Sequence, residues 1–174
     1  MTSIVIAITG ASGASLGLKF AKTLPSHIHK YIILTKNANV VLEKEENTTI
    51  LDNDNIAASI SSGSFKVDAM VIIPTSMNTL AKIASGISDN LVTRAASVFI
   101  KERRTLLLAP REMPFSAIAL EDMLKLSRLN IIIAPPVLAT YSNPKNIDEL
   151  EDFMIGKWFD LLGIEHSLFK RWEE

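Results

Sequence analysis

Residues 3 to 15 read Ser-Ile-Val-Ile-Ala-Ile-Thr-Gly-Ala-Ser-Gly-Ala-Ser. Ile4 to Ile8 form an unbroken apolar run rich in β-branched residues, too short for a buried helix and suited to an interior parallel strand covered on both faces. The run stops at Thr9, and Gly10 and Gly13 then allow a sharp turn and a close approach of backbone to a ligand. Leu16, Leu18, Phe20, Ala21 and Leu24 continue as a helix that ends at Pro25. In this strand, small-residue loop and helix, the N–H groups of the first helical turn point into the loop, and the helix dipole adds roughly half a positive charge there. An anion suits that spot. The spacing is neither the dinucleotide G-x-G-x-x-G pattern nor G-x-x-x-x-G-K-[ST]. Two readings stand side by side: a phosphate- or flavin-type site, and a tight turn that holds no ligand.

Working outward, Tyr31 to Leu34, Ala69 to Ile73, Leu106 to Ala109 and Ile131 to Ile133 read as four further strands, separated by helical spacing. The helices are marked by Val40, Val41 and Leu42; by Leu80 to Ala84; by Leu91 to Lys101; by Leu120, Met123, Leu124 and Leu126; and by Leu150, Phe153, Met154, Trp158 and Leu161. Residues 47 to 55 are polar and read as a loop, 56 to 60 as a short helix, and Ser61 to Ser64 as a connector flexible enough to close over a ligand. The expected fold is α/β: a Rossmann-like (flavodoxin-like) doubly wound parallel sheet in a single domain spanning 1–174. The tail, about 163–174, is expected to fray or to dock on a neighbouring subunit.

Composition narrows the function. With 18 basic and 19 acidic residues, the net charge of −1 gives no electrostatic case for nucleic acid or an anionic membrane, and small ligands are favoured. No apolar run is long enough to span a bilayer, since Ile131 to Ala134 is cut short by Pro135 and Pro136. The absence of Cys removes disulfides, thiolate metal sites and Cys nucleophiles together, and fits a reducing cytoplasm. His27, His29 and His166 show no metal-ligand spacing, so no metal is expected. An apolar content of 48% is high for 174 residues and hints that surface is buried in an oligomer.

In open α/β sheets ligands bind at the carboxyl ends of the strands, which selects the loops that follow them. Thr35 stands at one such end, as a ligand-bonding hydroxyl or as the N-cap of the next helix. Ser76, Met77, Asn78 and Thr79 follow another, clustering hydroxyl and amide donors. Arg111 and Glu112 follow a third, where they could clamp a phosphate and move a proton or form a structural ion pair. Tyr141 lies in the loop beyond the last strand, and Glu45 either faces the pocket or is a solvated charge. Arg94 and Lys101, seven apart with Val98 between them, share a helix face that suits an anion or is simply an exposed basic stripe. Lys157 falls within the apolar stripe of the last helix, where a lysine needs an anion or must snorkel outward.

Taken together and in order, several stretches resemble the UbiX-type flavin prenyltransferase family. They are Thr9-Gly10-Ala11-Ser12-Gly13, Ser62-Gly63-Ser64, the run from Pro74 through Ser76-Met77-Asn78-Thr79-Leu80, Arg94-Ala95-Ala96, Lys101-Glu102-Arg103-Arg104, Pro110-Arg111-Glu112-Met113-Pro114, and the closing Arg171-Trp172. The resemblance runs nearly end to end. It implies a homo-oligomer, a dodecamer with sites at subunit junctions, with FMN at the carboxyl edge of the sheet. It implies transfer of a dimethylallyl group from dimethylallyl phosphate to N5 and C6 of reduced FMN, giving prenylated FMN for a separate UbiD-type decarboxylase in ubiquinone or related aromatic-acid metabolism. By the same resemblance Gly10, Ala11, Ser12, Thr35, Ser76, Met77, Asn78, Thr79 and Arg111 would hold FMN. Arg94, Lys101, Glu112, Tyr141 and Lys157 would surround the substrate phosphate, with Ser12 and Glu45 near the reacting flavin edge, so that Ser12, Glu45 and Glu112 are the catalytic candidates. The family usually has Ser where Thr35 stands and commonly Arg at position 157. Two rival functions are a flavin-dependent decarboxylase of the same wider class, which Ala81 to Leu91 also resembles, and a non-catalytic FMN carrier. The catalytic His and substrate-clamping Cys of those decarboxylases have no counterpart in this chain.

Overall fold

The structure is a computed structural model that describes residues 1–10, 13–35, 47–140 and 143–171. The chain divides into two compact units, Met1–Pro135 and Pro136–Glu174.

The first unit is built on six parallel strands: β1 (Ser3–Ile8), β2 (His29–Leu34), β3 (Thr48–Asp52), β4 (Ala69–Thr75), β5 (Thr105–Pro110) and β6 (Ile132–Ile133). Their order across the sheet is β3-β2-β1-β4-β5-β6. Leaving out the edge strand β3, the remaining five follow the 2-1-3-4-5 order of flavodoxin-like sheets, and all six follow the Rossmann order. Ile4 to Ile8 are wholly buried, as interior parallel strands require. Alternate residues divide between the two faces. Val5, Ala7, Met70, Ile72, Leu106 and Leu108 join one cluster with α2 (Met77–Ala84), α3 (Leu91–Lys101) and α4 (Ala117–Ser127). The opposite face receives α1 (Ala14–Thr23), which packs on β1 and β4 with Leu16, Gly17, Phe20 and Ala21 turned inward. Helices on both faces make the sheet doubly wound.

Residues 48 to 52 correct the expectation of a loop. Thr-Thr-Ile-Leu-Asp pairs in parallel register with β2, Lys30 opposite Thr48 and Leu34 opposite Asp52, although Ile50 is half exposed. An edge strand has one hydrogen-bonded neighbour and needs no continuous apolar run, so its sequence looks like a polar connector. The short helix expected at 56–60 contracts to a single 3-10 turn at Ser59–Ser61. The helix expected around Val40 to Leu42 lies outside the described residues.

The second unit contains α5 (Ile147–Leu162), capped by Asn146, whose side chain accepts the N–H of Glu149. It buries Phe153, Met154, Ile155, Gly156, Trp158, Phe159 and Leu162. Leu161 and Lys157, expected within the inward stripe, are instead largely exposed, because the buried arc runs through 155, 159 and 162. Beyond Gly163 the chain folds back, and Arg171 pairs with Asp160 of its own α5.

Candidate functional site

A doubly wound sheet offers a crevice where successive crossovers leave in opposite directions, outside the carboxyl ends of the strands. Here that point lies between β1, whose chain proceeds to β2 on one side, and β4, its other neighbour. β4 passes through Ser76 into α2, and β1 is followed by a short loop that ends at Gly13, the N-cap of α1.

Three hydroxyls tie the strand ends together. Thr9, buried, donates from Oγ1 to the Pro74 carbonyl at 2.9 Å and accepts the Ser76 N–H at 2.9 Å, joining the end of β1 to the end of β4. Thr75, with no exposed surface, donates to the Ile72 carbonyl at 2.7 Å and accepts the Ala109 N–H at 3.0 Å, adding β5. Thr35 N–H and Oγ1 both donate to the Ile8 carbonyl, at 3.3 and 3.2 Å, adding β2. The Thr35 hydroxyl proton is therefore committed to backbone, and its oxygen retains acceptor capacity toward a ligand.

The loop after β1 has Gly10 at φ 90° and Gly13 at φ 86°, both in the left-handed region that disfavours side chains. Gly13 is the N-cap of α1 and supplies no side-chain bond to the first turn. A Cβ on Gly13 would lie 3.4 Å from Arg111 Cδ and Nε and 3.6 Å from Pro74, so the Arg111 stem runs close along this loop. A Cβ on Gly10 would lie 3.7 Å from Ser76 Cβ. Ser76 caps α2: its Oγ accepts the Thr79 N–H at 3.3 Å and shares a 3.0 Å hydrogen bond with Thr79 Oγ1. The next N–H groups of α2, those of Met77 and Asn78, have no acceptor within the helix. Two helix N-termini thus meet at one crevice with a guanidinium beside them, and each positive helix end favours an anion by about 0.3–1 kcal/mol. This geometry fits the phosphate of a mononucleotide.

Of the expected flavin-holding residues, the structure brings together Gly10, Ser76, Met77, Thr79 and Arg111, with Asn78 exposed in the first turn of α2 and Thr35 at the rim. Glu112 follows Arg111, exposed, with its carboxylate accepting the Met113 N–H at 3.1 Å. Ala11, Ser12, Glu45 and Tyr141 lie outside the described residues.

The expected phosphate-binding cations are arranged differently. Arg94 sits in the first turn of α3 and Lys101 is its last residue, both exposed, while Val98 between them is buried. Seven residues of helix separate them by about 10 Å along the axis. Because α3 returns toward the start of β5, its last residue lies near the amino edge of the sheet, opposite the crevice. Lys101 pairs there with Glu102, whose carboxyl the ammonium holds below its usual range. It also lines a cavity of about 350 Å³ with Ser85, Ser97 and Lys125, away from the strand ends. Within one chain Arg94 and Lys101 do not converge. Lys157, in the second unit, has its ammonium 3.8 Å from Asp160 Oδ2.

Sequence inspection passed over two groups. The Thr9 and Thr75 hydroxyls have partners 65 and 34 residues away, and the only local sign was a threonine at the end of an apolar run. Arg104 donates to the carbonyls of Gly63 and Phe65 and stands over the Phe99 ring at 5.8 Å, pinning the Ser62–Ser64 connector to the end of α3.

Comparison with known proteins is consistent with this crevice. The flavoprotein family model matches residues 1–158. Flavin prenyltransferase UbiX of Helicobacter pylori is 47% identical over 182 aligned positions, covering 97% of this chain and 97% of the relative. Among solved structures, a dodecameric FMN-dependent UbiX-like decarboxylase from Escherichia coli O157:H7 superposes with TM-score 0.91 at 36% identity, covering 99% of this chain and 100% of that one. AnUbiX in complex with FMN and dimethylallyl pyrophosphate superposes with TM-score 0.90 at 36% identity, covering 99% and 97%. With the fold, the crevice and near-half identity along almost the full length in agreement, the chain belongs to the flavoprotein family, in its branch of UbiX-type flavin prenyltransferases.

Proposed function

We propose that this protein transfers a dimethylallyl group from dimethylallyl phosphate to N5 and C6 of reduced FMN, releasing prenylated FMN. The observation that carries the reading is the meeting of two helix N-termini and Arg111 at the β1–β4 crevice, in a chain whose solved relative AnUbiX is in complex with FMN and dimethylallyl pyrophosphate. Gly10, Ala11, Ser12, Thr35, Ser76, Met77, Asn78, Thr79 and Arg111 hold the flavin mononucleotide. When bound, reduced FMN supplies the nucleophilic ring atoms and a π face toward the allylic carbon.

The protein's own task is to make an allylic C–O bond break in a dry pocket. Arg94, Lys101, Tyr141 and Lys157 stabilise the negative charge that grows on the departing phosphate, and fixed cations act most strongly where water is excluded. Glu112 donates a proton to that phosphate or takes one back from the ring carbon, with Ser12 and Glu45 lining the same edge. No metal enters this scheme. Arg94 and Lys101 stand about 10 Å apart along α3, and we infer that the phosphate meets them from different copies of the chain. A homo-oligomer, a dodecamer like the E. coli relative, supplies those copies. The family match crosses Pro135, which supports treating 1–174 as one flavoprotein domain. No helix among the described residues is long and apolar enough to cross a membrane. We place the protein in the cytoplasm, delivering prenylated FMN to a UbiD-type decarboxylase.

The test is to incubate the protein with reduced FMN and dimethylallyl phosphate, or the diphosphate, and to weigh the released flavin. A gain of one dimethylallyl unit is expected, and an unchanged mass with both donors would mark an FMN carrier instead.

A further inference from the structure

Asp160, in the last turn of α5, gathers three basic side chains. Arg171 grips both carboxylate oxygens in a fork, Nη2 to Oδ1 at 2.8 Å and Nη1 to Oδ2 at 3.3 Å. His166 Nε2 is 3.1 Å from Oδ1. Its Nδ1 accepts the Leu168 N–H at 3.2 Å, so the ring proton belongs on Nε2 and is donated to Asp160. Lys157, one turn back on the same helix, stays at 3.8 Å from Oδ2 with its side chain about half exposed. That separation exceeds a hydrogen bond, so it is a loose ion pair.

The arrangement is buttressed. His166 is almost wholly buried between Phe159 and Phe169, with ring centroids at 5.9 and 5.2 Å, and the Arg171 guanidinium stands 5.7 Å over Phe169. At Gly156 an added Cβ would come within 2.5 to 2.7 Å of Phe169 and His166, so the returning segment uses the space of a missing side chain. Arg171 and then His166 hold the Asp160 carboxyl below its usual range, against the effect of burial. With His166 neutral, Lys157, Asp160 and Arg171 carry one net positive charge; without Arg171, Lys157 and Asp160 carry none.

We propose that Arg171 is a positioning residue for Lys157. By occupying both oxygens of Asp160, it prevents that carboxylate from closing on the lysine one turn away and leaves the ammonium available to an incoming phosphate. This rests on the reading above that Lys157 binds the phosphate of the donor.

The experiment measures, by calorimetry on the intact protein loaded with oxidised FMN, the affinity for dimethylallyl phosphate in four variants, and the KM for the same compound in turnover. Lys157→Met should weaken binding. Arg171→Gln should weaken it on the order of fivefold, the scale of one partly exposed ion pair, and raise KM more than it lowers kcat. Asp160→Asn should bind at least as well as the parent. Arg171→Gln combined with Asp160→Asn should recover the parental affinity to within about twofold, because no carboxylate remains to capture Lys157. Hydrogen exchange over 163–171 should report a released tail in Arg171→Gln and in the double variant alike. Tail release alone therefore cannot produce the recovery. An unchanged affinity in Lys157→Met overturns the shared premise. A loss in Lys157→Met with none in Arg171→Gln, or with no recovery in the double variant, overturns the positioning role alone.

Discussion

Thr9 joins two strands through a single oxygen atom, donating to Pro74 and accepting from Ser76. Replacing it by valine keeps the shape and leaves the Ser76 N–H and Pro74 carbonyl without that partner, which costs about 1–3 kcal/mol for a buried polar group. Thr9→Val should therefore lower the urea midpoint of unfolding by a corresponding amount, while Thr9→Ser retains most of the stability. At Gly13 the left-handed backbone opposes any side chain, while the Arg111 stem at 3.4 Å leaves only ordinary contact for a Cβ. Gly13→Ala should lose about 1–2 kcal/mol and bind FMN more weakly, read by flavin fluorescence titration. The turn at Gly10 and Gly13 was legible in sequence because small residues directly after an apolar run mark a sharp change of chain direction. Thr9 was not, since a hydroxyl declares no partner until the chain folds.

At the scale of elements, α3 and α5 are opened by asparagine caps, Asn90 in a reciprocal capping box with Thr93 and Asn146 accepting from Glu149. The strand β3 was hidden because an edge position relaxes the demand for apolar residues, whereas for Lys157 the sequence left an anion partner and an outward turn both open, and the side chain turns outward. The segment that returns along α5 depends on a carboxylate held below its usual range by Arg171 and His166. A depressed folded pKa contributes stability that is fully present above the unfolded value near 3.9 and lost as pH falls through the folded one. Amide protection over 163–171, taken relative to the intrinsic exchange rate at each pH, should thus be high at neutral pH and fall below about pH 4, before the sheet itself opens. Asp160→Asn should abolish that acid step.

Over the whole molecule, the excess of apolar residues has a location. On and around α4, Ile118, Leu120, Leu124 and Leu129 are each at least half exposed, and Met113 on the preceding loop is 91% exposed. An amphipathic helix that buries only Ala119 and Leu126 leaves a face suited to another copy of the chain. Leu120→Glu with Leu124→Glu should shift sedimentation toward smaller species. If donor phosphate is bound between copies, the same change should abolish prenylation while FMN binding persists. The family was readable from the order of its motifs, but the proposed sharing of Arg94 and Lys101 between copies was not, since a sequence does not state which copy contributes a side chain.

The pairing of β1 with β4 brings Ile4 beside Ala69, and this central pair separates the first strand made from its partner by some 65 positions. While the chain is still emerging from the ribosome, Ile4 to Ile8 can pair with β2 on one edge, but the other edge waits for β4 to be synthesised. Nascent fragments that stop short of Thr75 should consequently recruit holdase chaperones or aggregate, and fragments that extend past Pro110 should begin to resist protease.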